Sequence, residues 1–198
     1  MPASPPQCDV AGVFLESRLL NSIFTLIVDT VASVLGGVLL LRFWMQIVRV
    51  RPPAPISQFC FQLTDWMVHP LRRLIPGMGG YDWASLLGAF VVVTLSVAAG
   101  LMVANGLSLE NLLVLSVLRL LEWVLYGFMG LIIIEAIFSW VNPSAPLAPF
   151  VRALTDPLMR PLRRVVPLIG SIDLSALIAL LLLQIALRVL TLAAMQLF

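Results

Sequence analysis

Two arginine pairs, Arg72-Arg73 and Arg163-Arg164, are the side chains of this chain best suited to chemistry. Each closes a Pro-Leu-Arg-Arg run, and Arg160 stands just before the second. A guanidinium is planar and permanently charged, so it grips phosphate or carboxylate through two parallel hydrogen bonds. A basic side chain beside an anionic leaflet adds about 1 kcal/mol of attraction. Arg72, Arg73, Arg160, Arg163 and Arg164 are therefore candidate contacts for anionic lipid headgroups or a membrane partner. They also carry a plainer role, since basic residues flanking apolar segments fix orientation and snorkel to the interface.

A second set of ionisable residues lies inside apolar segments: Asp29, Arg42, Glu122, Glu135 and Arg188. A charge at the centre of a membrane helix costs about 2.5–3.5 kcal/mol on insertion scales, so each must find a partner or a wet cavity. Arg42 with Glu135 is the favoured pair. Asp29 and Glu122 lie deeper or toward the outer side, and Arg188 could meet either. The sharper alternative is an ion path, in which Asp29, Glu122 and Glu135 attract a cation through the bundle.

Other chemistries find no residues. His69 is the only histidine, and Cys8 and Cys60 are isolated. No metal constellation, phosphate loop or Ser/His/Asp set follows from these. The sequence predicts no enzyme, no metal and no cofactor. The net charge of +2 offers no basic field for nucleic acid.

Composition names the solvent. The chain of 198 residues is 61% hydrophobic and 11% charged, with mean hydropathy +1.05. Soluble domains carry roughly 25% charged residues. Four apolar segments, 21–48, 83–105, 118–141 and 174–197, each exceed the roughly 20 residues that cross a hydrocarbon core. A short apolar helix from Ser108 could precede the third. Lipid offers no backbone partner, so these segments should be helices. Residues 1–20 read as a short disordered tail without a signal peptide's basic start. Ser33-x-x-x-Gly37 and Gly100-x-x-x-Ala104 suggest close helix approach.

Residues 63–87 recur without a gap 91 residues later, at 154–178, with 11 of 25 positions identical. The chain therefore divides into a tail (1–20), a first repeat (21–106) and a second repeat (107–198). In each copy, apolar residues fall on one side of a helical wheel and Asp and Arg on the other. That pattern predicts an amphipathic helix lying in the membrane interface. Thr64-Asp65 and Thr155-Asp156 read as its N-caps, with Pro157 in a first turn. Pro70 and Pro161 predict a kink or restart. Pro76 and Pro167 should close the helix, Gly79 and Gly170 turn the chain, and Asp82 and Asp173 cap the next span. Eight of the twelve Arg lie in the two segments that hold these helices. The positive-inside rule places both segments in the cytoplasm and both termini outside. The expected fold is all-α: four transmembrane helices in two tandem parallel hairpins, each with a cytoplasmic amphipathic helix.

The doubled signature, PLRRLIPGMGGYD at 70–82 and PLRRVVPLIGSID at 161–173, with Ser-Trp-Val-x-Pro at 139–143, resembles the YggT (YlmG) family of bacterial inner-membrane proteins with chloroplast relatives. The resemblance covers about 39–190. It implies a multi-pass inner-membrane protein with no known catalytic activity. It also implies an association with osmotic tolerance and potassium uptake, cell division and nucleoid distribution, or plastid cytochrome assembly. Such a spread points to a scaffold or assembly factor acting on anionic lipid, a membrane-protein partner or a homo-oligomer. The alternative is a channel or transport accessory for ion homeostasis. Glu135 departs from the family pattern, standing where the third span often carries a basic residue, so that residue's role does not carry over.

Overall fold

The computed structural model describes residues 7–74, 82–103, 108–165 and 174–197. Six helices follow one another: α1 Gln7–Val48, α2 Ala54–Leu74, α3 Trp83–Val103, α4 Leu109–Val141, α5 Ala148–Val165 and α6 Leu174–Leu197. No strand occurs among the described residues. Four helices are long and apolar enough to cross a membrane: Glu16–Val48 within α1, then α3, α4 and Leu174–Gln196 within α6. The four apolar segments of the sequence thus become helices, as a solvent without hydrogen-bonding groups requires.

Helix starts differ from the sequence expectation in four helices. α1 begins at Gln7, so residues 7–20 are helical rather than a disordered tail. The third span and the short helix before it are one helix, α4, whose Ser108 hydroxyl caps the Asn111 N–H at 3.2 Å. α2 and α5 begin at Ala54 and Ala148, well before the predicted caps. Thr64, Asp65, Thr155, Asp156 and Pro157 therefore lie inside helices. Pro52-Pro53 set the start of α2: Pro suits a helix entrance, and the Pro53 carbonyl accepts the Ser57 N–H at 3.0 Å.

Pro70 and Pro161 end neither helix; α2 and α5 run through them. Each proline removes one backbone donor. Buried side chains before each proline, Val68 in α2 and Leu154 and Met159 in α5, hold the helices against their neighbours. Pro76, Gly79, Pro167, Gly170 and Asp173 lie outside the described residues.

α1 exits through a left-handed residue. Arg49 has φ of 57°, and the Val50 N–H reaches back to the Met45 carbonyl at 3.1 Å. This is the helix-ending geometry that glycine usually supplies.

α1 packs along α3, α3 along α4, and α4 along α6. α2 lies against α1 and α3; α5 lies against α4, α6 and α1. Three apolar clusters fill the contacts. One joins Leu39, Val68, Ala89, Val93 and Trp123; a second joins Met45, Cys60, Phe150 and Leu154; a third joins Ile132, Met159 and Ala179. In lipid, such contacts stabilise through close packing rather than water release. The close approach falls one residue from the expected glycine. A Cβ on Gly36 would stand 2.1 Å from the Trp123 ring, whereas Gly37 and Gly100 face open space.

Candidate functional site

The charged residues gather into three networks. The first surrounds Arg42 of α1, which is 4% exposed. Its Nη1 donates to Asp65 Oδ1 at 2.7 Å and to Thr64 Oγ1 at 2.9 Å, both on α2. The Phe61 ring lies 4.6 Å from its guanidinium carbon, a cation–π contact. Its Nε is buried 3.4 Å from Asp82 Oδ2 but makes no hydrogen bond among the described residues.

Asp82 sits at the entrance of α3. Its carbonyl accepts the Ser85 N–H at 3.0 Å, as a cap carbonyl does. Its carboxylate takes Arg72 Nη2 at 2.7 Å, Arg72 Nε at 3.3 Å and the Ser85 hydroxyl at 2.8 Å. Burial pushes the Asp82 carboxyl up. Hydrogen bonds from Arg72 and Ser85, with the charges of Arg72 and Arg42, outweigh burial and hold it below its ordinary value. The same hydrogen bond raises the pKa of Arg72. Cys60, one turn before Thr64, is a buried free thiol that burial pushes up against the pull of Arg42.

The second network surrounds Glu135 of α4, which is 7% exposed. Arg163 Nη2 donates to Oε1 at 2.7 Å, and Arg152 Nε stands 3.8 Å from the same oxygen. The Thr155 hydroxyl donates to Oε2. On the outer side of α5, Asp156 takes Arg160 at 3.0 Å and lies 3.9 Å from Arg163. Arg42 and Glu135 therefore do not pair with each other, contrary to the sequence expectation. Each has partners on the short helix that follows it in the chain, so no charge remains for the other.

The third network joins three spans. The Ser96 hydroxyl of α3 donates to Asp29 Oδ1 of α1, and Arg119 of α4 stands 3.5 Å from Asp29 Oδ2. Arg119 also donates to Glu122 at 3.1 Å. The sequence pattern singles out neither Arg119 nor Ser96. A hydroxyl in the second span and an acid in the first were the available signal. Arg188 of α6 is exposed and joins no network among the described residues.

The arginine pairs divide. Arg72 and Arg163 turn to the buried carboxylates of Asp82 and Glu135. Arg73 and Arg164 are exposed and have no ion pair among the described residues. Arg160 is exposed and held by Asp156 one turn away.

An apolar crevice of about 380 Å³ opens between α1 and α4, lined by Gly37, Leu41, Phe43, Trp123, Gly127 and Leu131 among others. None of Asp29, Glu122 and Glu135 lines it. Among the described residues no group of three His, Cys, Asp or Glu side chains is placed to hold a metal ion.

The sequence profile of the CCB3/YggT family matches this chain twice, over residues 21–103 and 114–194. The uncharacterized protein YggT of Escherichia coli (strain K12) is 36% identical over 162 residues, covering 81% of this chain and 85% of its own length. An uncharacterized protein of Pseudomonas aeruginosa is 36% identical over 171 residues, covering 84% of this chain and 87% of its own. An uncharacterized Vibrio alginolyticus protein is 33% identical over 164 residues, covering 81% and 89% respectively. No solved structure matches the chain.

Proposed function

This chain belongs to the CCB3/YggT family, and on that footing we propose that it is a non-enzymatic scaffold or assembly factor of the bacterial inner membrane. In this proposal the two halves are tandem parallel hairpins with both termini outside. α2 and α5 lie in the cytoplasmic interface and present arginine to anionic lipid or to a membrane-protein partner.

The division of the arginine pairs carries the proposal. Arg72 and Arg163 are engaged by buried carboxylates, which fixes the ends of α2 and α5. The next residue in each pair, Arg73 or Arg164, is exposed and has no ion pair among the described residues, whereas Arg72, though 46% exposed, is held by Asp82. A topogenic role needs only net charge. An inner arginine anchored beside an outer free one leaves the free guanidinium on a rigid support, which lowers the ordering cost of binding phosphate. The carboxylates inside the spans are met by hydroxyls and guanidinium groups, and the α1–α4 crevice is apolar. Both features suit a packed bundle better than a wet passage.

The test is lipid retention by the purified protein. Arg73→Ala with Arg164→Ala should lower the anionic lipid retained, relative to neutral lipid, with thermal stability unchanged. Arg72→Ala with Arg163→Ala should lower stability first. Unchanged anionic-lipid retention in the outer double variant would refute the headgroup role.

A further inference from the structure

Arg188 is a cation on the open face of a membrane span. α6 has 24 residues, about 36 Å at 1.5 Å per residue. Arg188 stands about 4 Å past its midpoint. With the helix centred in a hydrocarbon core about 30 Å thick, its Cα is about 11 Å from the nearer boundary. An extended arginine does not reach that far. Gln184, one turn earlier, is exposed on the same face. Around them Leu181, Ile185 and Leu192 are exposed. Among the described residues α6 touches only α4 and α5, and this face has no partner there. Ionisable residues at such depth turn inward or find a partner, and Arg188 does neither among the described residues of one copy.

The complementary charge lies on another helix. Asp29 of α1 and Glu122 share the single guanidinium of Arg119, leaving that network one negative charge in excess. The Asp29 side chain remains 48% exposed. Asp29 is about 4 Å from the midpoint of the span Glu16–Val48, on its N-terminal side. Successive spans run antiparallel, so the side where α1 begins is the side where α6 ends. Arg188 is displaced toward that same side, and the two residues share a depth. Among the described residues α1 and α6 make no contact, and Arg188 and Asp29 form no ion pair within one copy.

We propose that the protein self-associates in the membrane through α6 of one copy against α1 of another, with Arg188 entering the Asp29–Ser96–Arg119 network of its neighbour. Each copy then neutralises one surplus acid and one unpartnered base. The two surfaces differ, so the contact is head-to-tail: it closes into a ring, or into a dimer if both contacts form at once.

The experiment co-expresses full-length copies carrying two different tags and measures co-purification from membranes. Wild-type copies should co-purify. Arg188→Asp copies should lose self-association about tenfold, as should Asp29→Arg copies. Co-expression of Arg188→Asp copies with Asp29→Arg copies should restore it, because both cross-copy pairs become opposite in charge again. Arg188→Gln and Asp29→Asn, milder changes that guard against misfolding, should each weaken association as well. Three results would overturn the proposal. One is wild-type copies that do not co-purify, which would leave Arg188 to a different protein. Another is association indifferent to Arg188→Gln. The third is two folded reversal variants that fail to rescue each other.

Discussion

The Thr64 hydroxyl accepts from the buried Arg42 guanidinium at 2.9 Å, whereas the Thr155 hydroxyl donates to the buried Glu135 carboxylate. The two threonines stand 91 residues apart in the matching segments. A hydroxyl holds one donor and two acceptor positions, so one residue type serves opposite charges. Thr64 directs its hydrogen to the Cys60 carbonyl at 2.6 Å and leaves its lone pairs for Arg42. Thr64→Val and Thr155→Val should each cost about 1.5–3 kcal/mol, the range for a hydrogen bond to a charged group. Thr→Ser at either site should remain near wild type. Unfolding of the purified protein in detergent micelles reads both.

Arg42 and Glu135 belong to separate networks, and their mutations should add. Removing one member of a buried pair costs about 3–5 kcal/mol, because the other charge is left without compensation. Arg42→Ala and Glu135→Ala should each show a loss of that order. In a double-mutant cycle the coupling between them should stay within about 0.5 kcal/mol. The charge-swapped pair Arg42→Glu with Glu135→Arg should recover nothing over the single variants. By contrast, Glu135→Ala with Arg163→Ala should cost less than the sum of its parts.

Much of the fold was legible before any coordinates, because lipid leaves few options for a long apolar run. α6 occupies the predicted residues, and α3 begins at the predicted Trp83. The candidate site was legible in its residues but not in its pairing. Opposite charge at similar depth suggested Arg42 with Glu135. The short helices carry their own opposite charges, and these are nearer. Thr64-Asp65 looked like a cap because capping is a local pattern. The start of α2 was decided by Pro52-Pro53 and by burial of Cys60, which a local pattern does not report. The role of Arg119 was hidden because its partner Asp29, and the Ser96 hydroxyl that donates to Asp29, lie on two other helices.

Asp82 makes stability depend on pH in a definite direction. Its folded-state pKa lies below the unfolded value, so the unfolded chain binds the proton more readily. The contribution is therefore present in full above the unfolded value of about 3.9. It is lost as pH falls through the lower, folded value. Thermal stability in micelles should drop on acidification below about pH 4. Asp82→Asn should be less stable than wild type near neutral pH, since Arg72 loses its carboxylate. The two proteins should converge at acid pH. Parallel curves across the whole range would show that Asp82 is not a stabilising titrating group.

Gly36 and Gly37 are adjacent, yet they should respond oppositely to one added methyl group. Successive helix positions point about 100° apart. A Cβ on Gly36 would stand 2.1 Å from one atom of the Trp123 ring and 2.6 Å from another, well inside contact distance. Trp123 is 9% exposed and belongs to the cluster that joins α1, α2, α3 and α4, so moving its ring breaks contacts in that cluster. Gly36→Ala should therefore separate α1 from α4 locally, at a cost of about 1–3 kcal/mol for overpacking. Gly37 faces the crevice with nothing within 4 Å. Gly37→Ala meets no clash and gains the backbone preference of alanine for a helix, up to about 1 kcal/mol. Thermal unfolding should rank Gly37→Ala at or above wild type and Gly36→Ala below it. Tryptophan emission should shift in the Gly36 variant alone, because Trp123 is the ring that must move. Equal stability of the two variants would mean that the α1–α4 contact is not made at Gly36.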